Sequence, residues 1–184
     1  MKILLESIIY QPEMEADMRT EFLTDINKEI DRLNLIIGDL LTLVSMDSKT
    51  MRLNRTTFSL AQVVTDTAHR LALVAEKNHQ ELKLSLNDRC EMFADNAKLT
   101  QVVYNLMENA LKYTQEGGTV RVRLVRSGHD AVLTVTDNGP GIPKEDQAHI
   151  FERFYRVDKA RSRETGGTGL GLSIVHQMVL AHGG

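Results

Sequence analysis

The stretch from Asp95 to Thr136, DNAKLTQVVYNLMENALKYTQEGGTVRVRLVRSGHDAVLTVT, changes its hydrophobic period part-way and so marks out a fold. In its first half Leu99, Val102, Val103, Leu106, Ala110 and Leu111 line one stripe of a helix, which Asp95 or Asn96 can cap. Gly117-Gly118 stops the helix. Beyond it Val120, Val122 and Leu124 alternate with Arg121 and Arg123, and Ser127-Gly128 turns the chain into a second strand, Ala131 to Thr136.

Upstream, Leu82, Leu84 and Leu86 alternate with polar residues, and Asn87-Asp88 reads as a hairpin turn before Glu91 to Ala94. Val63, Val64, Thr67, Ala68, Leu71, Val74 and Ala75 predict a helix closing near Asn78, preceded by a short strand at Phe58 and Leu60. Helices mixed with antiparallel hairpins imply an α+β chain whose sheet is covered on one face, an α/β sandwich. Nearer the N-terminus the pattern differs. Phe22, Ile26, Ile30, Leu33, Ile37, Leu40 and Val44 form the seam of a long amphipathic helix. Ile3, Leu4, Ile8 and Ile9 give a shorter apolar face before it, with a loop around Gln11 to Glu15. These features predict an antiparallel two-helix hairpin in residues 1–50 that pairs with a second copy as a four-helix bundle.

The 184 residues are 42% hydrophobic and 26% charged, and 22 basic against 25 acidic side chains leave a net charge of −3. That is a soluble globular composition, and its slight acidity argues against a general nucleic-acid binder. Residues 1–50 hold 5 basic and 10 acidic side chains, whereas the rest carries a net +2, so a domain boundary is expected near residue 50. A lone cysteine, Cys90, cannot form an internal disulfide. No apolar run is long enough to cross a bilayer, so no membrane contact is expected of these residues.

Four motifs carry chemistry. In NLMENALKYT (Asn105 to Thr114), Asn105, Glu108, Asn109 and Lys112 share one helical face. Carboxamide oxygens suit a phosphate-bound Mg²⁺ and a lysine suits phosphate, although an ordinary solvated face would look the same. DNGPGI (Asp137 to Ile142) follows a strand. Gly139 and Gly141 permit a sharp turn and a close ligand, and Asp137 can accept from the amino group of adenine, where guanine presents a carbonyl. A plain Asp-Asn-Gly turn is the alternative. In FERFYRVD (Phe151 to Asp158), Phe151 and Phe154 suit pinning a loop or filling a core, leaving Arg156 to reach phosphate. GGTGLGL (Gly166 to Leu172) opens the last helix, Leu170 to Ala181, and offers an anion site of glycine amides and a helix N-terminus. It is neither a Walker A loop nor a dinucleotide fingerprint. The polar run Lys159 to Thr165 is long enough for a lid.

Taken in this order, the four stretches closely resemble the N, G1, F and G2 boxes of sensor histidine kinases. The resemblance covers roughly residues 16–184 and implies a Bergerat-type ATP-binding domain over residues 51–184. By matching positions, Asn105 and Asn109 would hold Mg²⁺ and phosphates, with Lys112 beside the phosphate chain. Tyr113 and Ile142 would pack adenine, Asp137 would recognise its amino group, and Gly139 and Gly141 would shape that turn. Arg156 would contact the terminal phosphate, and the amides of Gly167, Thr168, Gly169, Leu170 and Gly171 would hold the phosphate chain. ATP and Mg²⁺ are the implied cofactors. The implied partners are a second copy of the chain through residues 1–50 and a response-regulator receiver domain. The implied place is the cytoplasmic part of a membrane-anchored sensor. Related folds that hydrolyse ATP carry a glutamate general base where this chain has Asn105, and a carboxamide cannot take that proton. A serine kinase of the same fold, or a non-catalytic ATP-binding dimerisation module, are the alternatives.

Two departures matter. The family's acceptor histidine lies on the first dimerisation helix, yet His69, His79, His129, His149, His176 and His182 all lie beyond residue 50. The family also continues past its AHGG-like segment with a hairpin, where this sequence ends at Gly184. A fragment that binds ATP without phosphorylating itself is expected.

Overall fold

The computed structural model describes Tyr10 and residues 15–47, 52–157 and 168–184. The chain divides after Asp47 into two compact units. In the first, helix α1 (Ala16–Asp47) runs unbroken for 32 residues. The other helix of the expected hairpin and its loop lie, apart from Tyr10 and Glu15, outside the described residues. Along the seam Ile26 is buried, but Ile30, Leu33, Ile37 and Leu40 are 38–54% exposed. The side chain of Val44 lies outside the described set. Among the described residues no helix is long and apolar enough to cross a membrane.

The second unit places its strands in two ladders. β1 (Arg55–Ser59) pairs antiparallel with β3 (Glu91–Asp95). β4 (Thr119–Ser127) lies between β2 (Glu81–Leu86), which it meets in parallel, and β5 (Asp130–Asp137), which it meets antiparallel. Three helices accompany them: α2 (Leu60–Lys77), α3 (Asn96–Tyr113) and α4 (Gly171–Ala181).

This corrects the hairpin expected at Asn87-Asp88, because β2 and β3 belong to different ladders. The apolar residues of β2 sit opposite Val120, Val122 and Leu124, which are fully buried, so β2 completes that face rather than pairing with β3. At the turn Asp88 Oδ1 accepts from the Cys90 N–H (2.9 Å), Cys90 adopts φ +46°, and the chain swings away. The short strand also ends earlier than expected. Ser59 caps α2 by accepting from the Gln62 N–H (3.3 Å), which makes Leu60 helical rather than extended.

The core lies between α2, α3 and the sheet. Val64, Leu71, Val103, Met107 and Leu111 from the helices meet Val120, Val122 and Leu124 from β4. Met107, not Leu106, occupies the centre of the α3 stripe, because it sits four residues from both Val103 and Leu111. The two ends of α3 are held differently. Asp95 caps the start, accepting from the Lys98 N–H at 3.2 Å. At the far end buried Gln80 donates from Nε2 to the carbonyls of Leu111 (2.8 Å) and Thr114 (2.7 Å), which fixes the turn bearing Lys112 and Tyr113.

Candidate active site

Burial of the apolar stripe of α3 leaves Asn105, Asn109 and Lys112 half-buried on another face and Glu108 exposed. Glu108 accepts from the Tyr104 hydroxyl (3.1 Å), a local bond. Asn105 Nδ2 donates to the carbonyl of Gly171 at 3.3 Å, joining this face to the head of α4. That bond leaves Oδ1 of Asn105 as a hard oxygen donor. A Cβ on Gly171 would come within 3.9 Å of both carboxamides, so glycine keeps the space beside them open. Leu170 stands as the N-cap of α4 and makes no side-chain capping bond.

The loop after β5 is fastened to the other end of α3. Asp137 Oδ1 accepts from the Gly139 N–H (2.9 Å), and Asn138 Oδ1 accepts from the Thr119 N–H (2.8 Å). Gly139 presses so close that a Cβ would stand 2.6 Å from the Tyr113 carbonyl oxygen. Gly141 supplies the left-handed turn at φ +73°. Asp137 therefore sits near the α3 terminus with one carboxylate oxygen spent on its own turn. Tyr113 and Ile142 are 52% and 41% exposed, an uncovered ring and an uncovered aliphatic side chain at this end.

The segment from Phe151 is a series of turns, and neither phenylalanine enters the core, since Phe151 and Phe154 are 44% and 58% exposed. The anchoring expected of their rings is done partly by backbone. Phe154, at φ +65°, donates its N–H to the Gly169 carbonyl (2.9 Å), and a Cβ on Gly169 would lie 3.0 Å from the Phe154 backbone. The Phe151 ring stacks on His176 of α4, with centroids 5.1 Å apart. Burial holds the Lys112 ammonium below the usual lysine range and the Arg156 guanidinium pushes the same way, against an opposite pull from Glu108.

Asn105 and the head of α4 thus make one end of the site, and Asp137, Gly139, Tyr113 and Ile142 the other, with Asn109 one turn on from Asn105 and Lys112 in the last turn of α3 beside Tyr113. The helix between Asn105 and Tyr113 separates them by about 12 Å. Thr168 and Leu170 belong to the first end, where Thr168 Oγ1 accepts from the Leu170 N–H (3.2 Å). Gly167 and the Lys159 to Thr165 run lie outside the described residues. Among the described residues no three His, Cys, Asp or Glu side chains form a metal cluster. A separate cleft of about 620 Å³ beside α2, lined by Asp66, Arg70, Arg89 and Asn96 among others, holds none of the residues of the four motifs. Two supporting residues carried no local signal: Gln80 and His176.

Residues 94–184 match the family described as histidine kinase-, DNA gyrase B-, and HSP90-like ATPase. The whole chain is 39% identical to the sensor histidine kinase WalK of Bacillus subtilis, covering 30% of that protein. It is 32% identical to the sensor-like histidine kinase SenX3 of Mycolicibacterium smegmatis, of which it covers 48%. The chain spans less than half the length of these curated relatives. Among solved structures, the mycobacterial sensor histidine kinase MprB is 33% identical over 70% of this chain and 80% of its own, with a TM-score of 0.59. ShkA, solved in complex with AMPPNP, superposes with a TM-score of 0.77 over 92% of this chain and 35% of its own, at 25% identity. By these matches the chain belongs to the sensor histidine kinase family and carries that family's ATPase domain.

Proposed function

We propose that this chain binds ATP with Mg²⁺ and positions the γ-phosphate for transfer to a histidine other than the six in this sequence, from which it passes to a response-regulator receiver domain. The observation that carries this is the bond from Asn105 Nδ2 to the Gly171 carbonyl (3.3 Å), which sets the carboxamide face of α3 against the glycine-edged head of α4. Lys112, half-buried on the same helix, supplies a cation suited to phosphate. Asn105 and Asn109 offer carboxamide oxygens to the metal, which when bound neutralises phosphate charge. Asp137 accepts from the adenine amino group with the oxygen its turn leaves free, and Tyr113 and Ile142 cover the ring. Asn105 cannot act as a base, so water is not activated from that position and the phosphoryl group goes to an incoming nucleophile.

Calorimetric titration of the folded chain with Mg·ATP tests the core of this, with a saturable heat expected and its absence decisive against it. With γ-labelled ATP the isolated chain is expected to stay unlabelled. Acid-labile label on any of its six histidines would overturn that expectation.

Lys112→Met separates binding from stability. The folded state holds the Lys112 proton less tightly than the unfolded chain does. Stability therefore rises as pH climbs from the lowered pKa towards the ordinary lysine value, and the charge is a burden to the empty protein below that window. The variant is expected to unfold at higher urea concentration without nucleotide, while Mg·ATP affinity falls about tenfold. A lower urea midpoint would contradict this.

The exposed seam of α1 supports self-association through residues 1–50. Ile37→Glu places a charge in that seam and is expected to shift the chain towards monomer in sedimentation equilibrium, leaving ATP affinity unchanged.

A further inference from the structure

Helices α3 and α4 run antiparallel and are clasped at both ends. Beside the site the clasp is Asn105 to Gly171. At the opposite end the Asp95 N–H donates to His182 Nε2 at 3.2 Å. The partners fix the imidazole: the Met178 carbonyl can only accept, so His182 Nδ1 donates to it (2.7 Å), and Nε2 is left unprotonated to accept from Asp95. The Asp95 carboxylate is divided as well. Oδ1 caps α3 at the Lys98 N–H, and Oδ2 accepts from the Asn54 N–H at 2.9 Å. Asn54 stands just ahead of β1, where the chain arrives from α1. One buried residue therefore ties three segments: the incoming chain, the head of α3 and the tail of α4. The two arms match, because Asp95 to Asn105 spans about 15 Å of helix and Gly171 to His182 about 16 Å. A shift at the far clasp moves Gly171 against Asn105.

We infer that Asp95 and His182 are positioning residues which hold the glycine-edged head of α4 in register with Asn105 and couple it to the chain entering at Asn54. This rests on the nucleotide reading of the site.

The full chain allows a clean test, with Mg·ATP as the probe. His182→Gln keeps an acceptor for the Asp95 N–H, whereas His182→Leu removes it. Asp95→Ser still caps α3 but has one oxygen in place of two, so it cannot hold Lys98 and Asn54 together. Affinity is expected to fall about fivefold in His182→Leu and in Asp95→Ser, the effect of one lost hydrogen bond, and to stay near wild type in His182→Gln. Amide exchange should quicken at Asn54 in Asp95→Ser and at Asp95 in His182→Leu. A purely structural role would lower the urea midpoint while the folded protein bound Mg·ATP as before, and that result would overturn the inference. Should His182→Leu not fold, Asp95→Ser and His182→Gln decide alone, by the same criterion. Failure of the wild type to bind Mg·ATP would bring down the nucleotide reading and this inference together, whereas wild-type binding with unchanged variants overturns this inference only.

Discussion

Asp137→Asn is expected to weaken Mg·ATP binding about a hundredfold, or ~2.7 kcal/mol, with almost no change in the urea midpoint. The asymmetry follows from how the carboxylate is used. One oxygen accepts from the Gly139 N–H at 2.9 Å, and an asparagine carbonyl oxygen keeps that bond and the turn. What changes is the second position, where an NH₂ replaces an acceptor and faces the amino group of the purine, donor against donor. The charge that strengthened the original bond is also gone. Calorimetry with ATP and GTP checks both parts. Affinity for ATP should collapse towards that for GTP, and an ATP affinity within a factor of three of wild type would remove Asp137 from the purine end.

Gly139→Ala is the second large effect, and here fold and site fail together. Its Cβ would stand 2.6 Å from the Tyr113 carbonyl oxygen and 2.9 Å from Asp137 Oδ1. Backbone on one side and the turn's own hydrogen bond on the other cannot yield cheaply, so a cost of about 2–3 kcal/mol in stability is expected. The relief available is to lift the loop off α3, which separates Asp137 from Tyr113 and lowers nucleotide affinity as well. Gly141→Ala is the control. A Cβ there meets nothing within 4 Å, and only its φ of +73° is strained, so about 1 kcal/mol of stability is lost with little change in binding. Equal losses in the two variants would show that backbone conformation, not the close approach, governs this loop.

Much of the site was legible because its geometry is local. Asn105, Asn109 and Lys112 share a face by helical periodicity alone, and Gly169 precedes and Gly171 opens a helix whose start the sequence marks. What was hidden depends on contacts between distant segments. Alternation in β2 shows which residues face inward but not which strand lies beside it, so the Asn87-Asp88 turn suggested the wrong partner. Gln80 follows a helix like any polar residue, yet its amide caps carbonyls 31 and 34 residues away. The phenylalanines of FERFYRVD were apolar enough to suggest a core, but a positive φ at Phe154 turns the backbone itself into the anchor. The direction of Arg156 was not legible, since the irregular segment carrying it has no period from which it can be read.

The parallel pairing of β2 with β4 also has a bearing on how the chain acquires its shape. Glu81 lies beside Thr119, 38 residues later, with α3 spanning the gap. No tight turn can bring the two together, so this pairing must close a long loop before it is rewarded, whereas β4 and β5 zip from Ser127 and Asp130 outward. During synthesis β2 leaves the ribosome first and waits with its backbone unpaired until β4 follows, which makes it the segment most in need of protection on a growing chain.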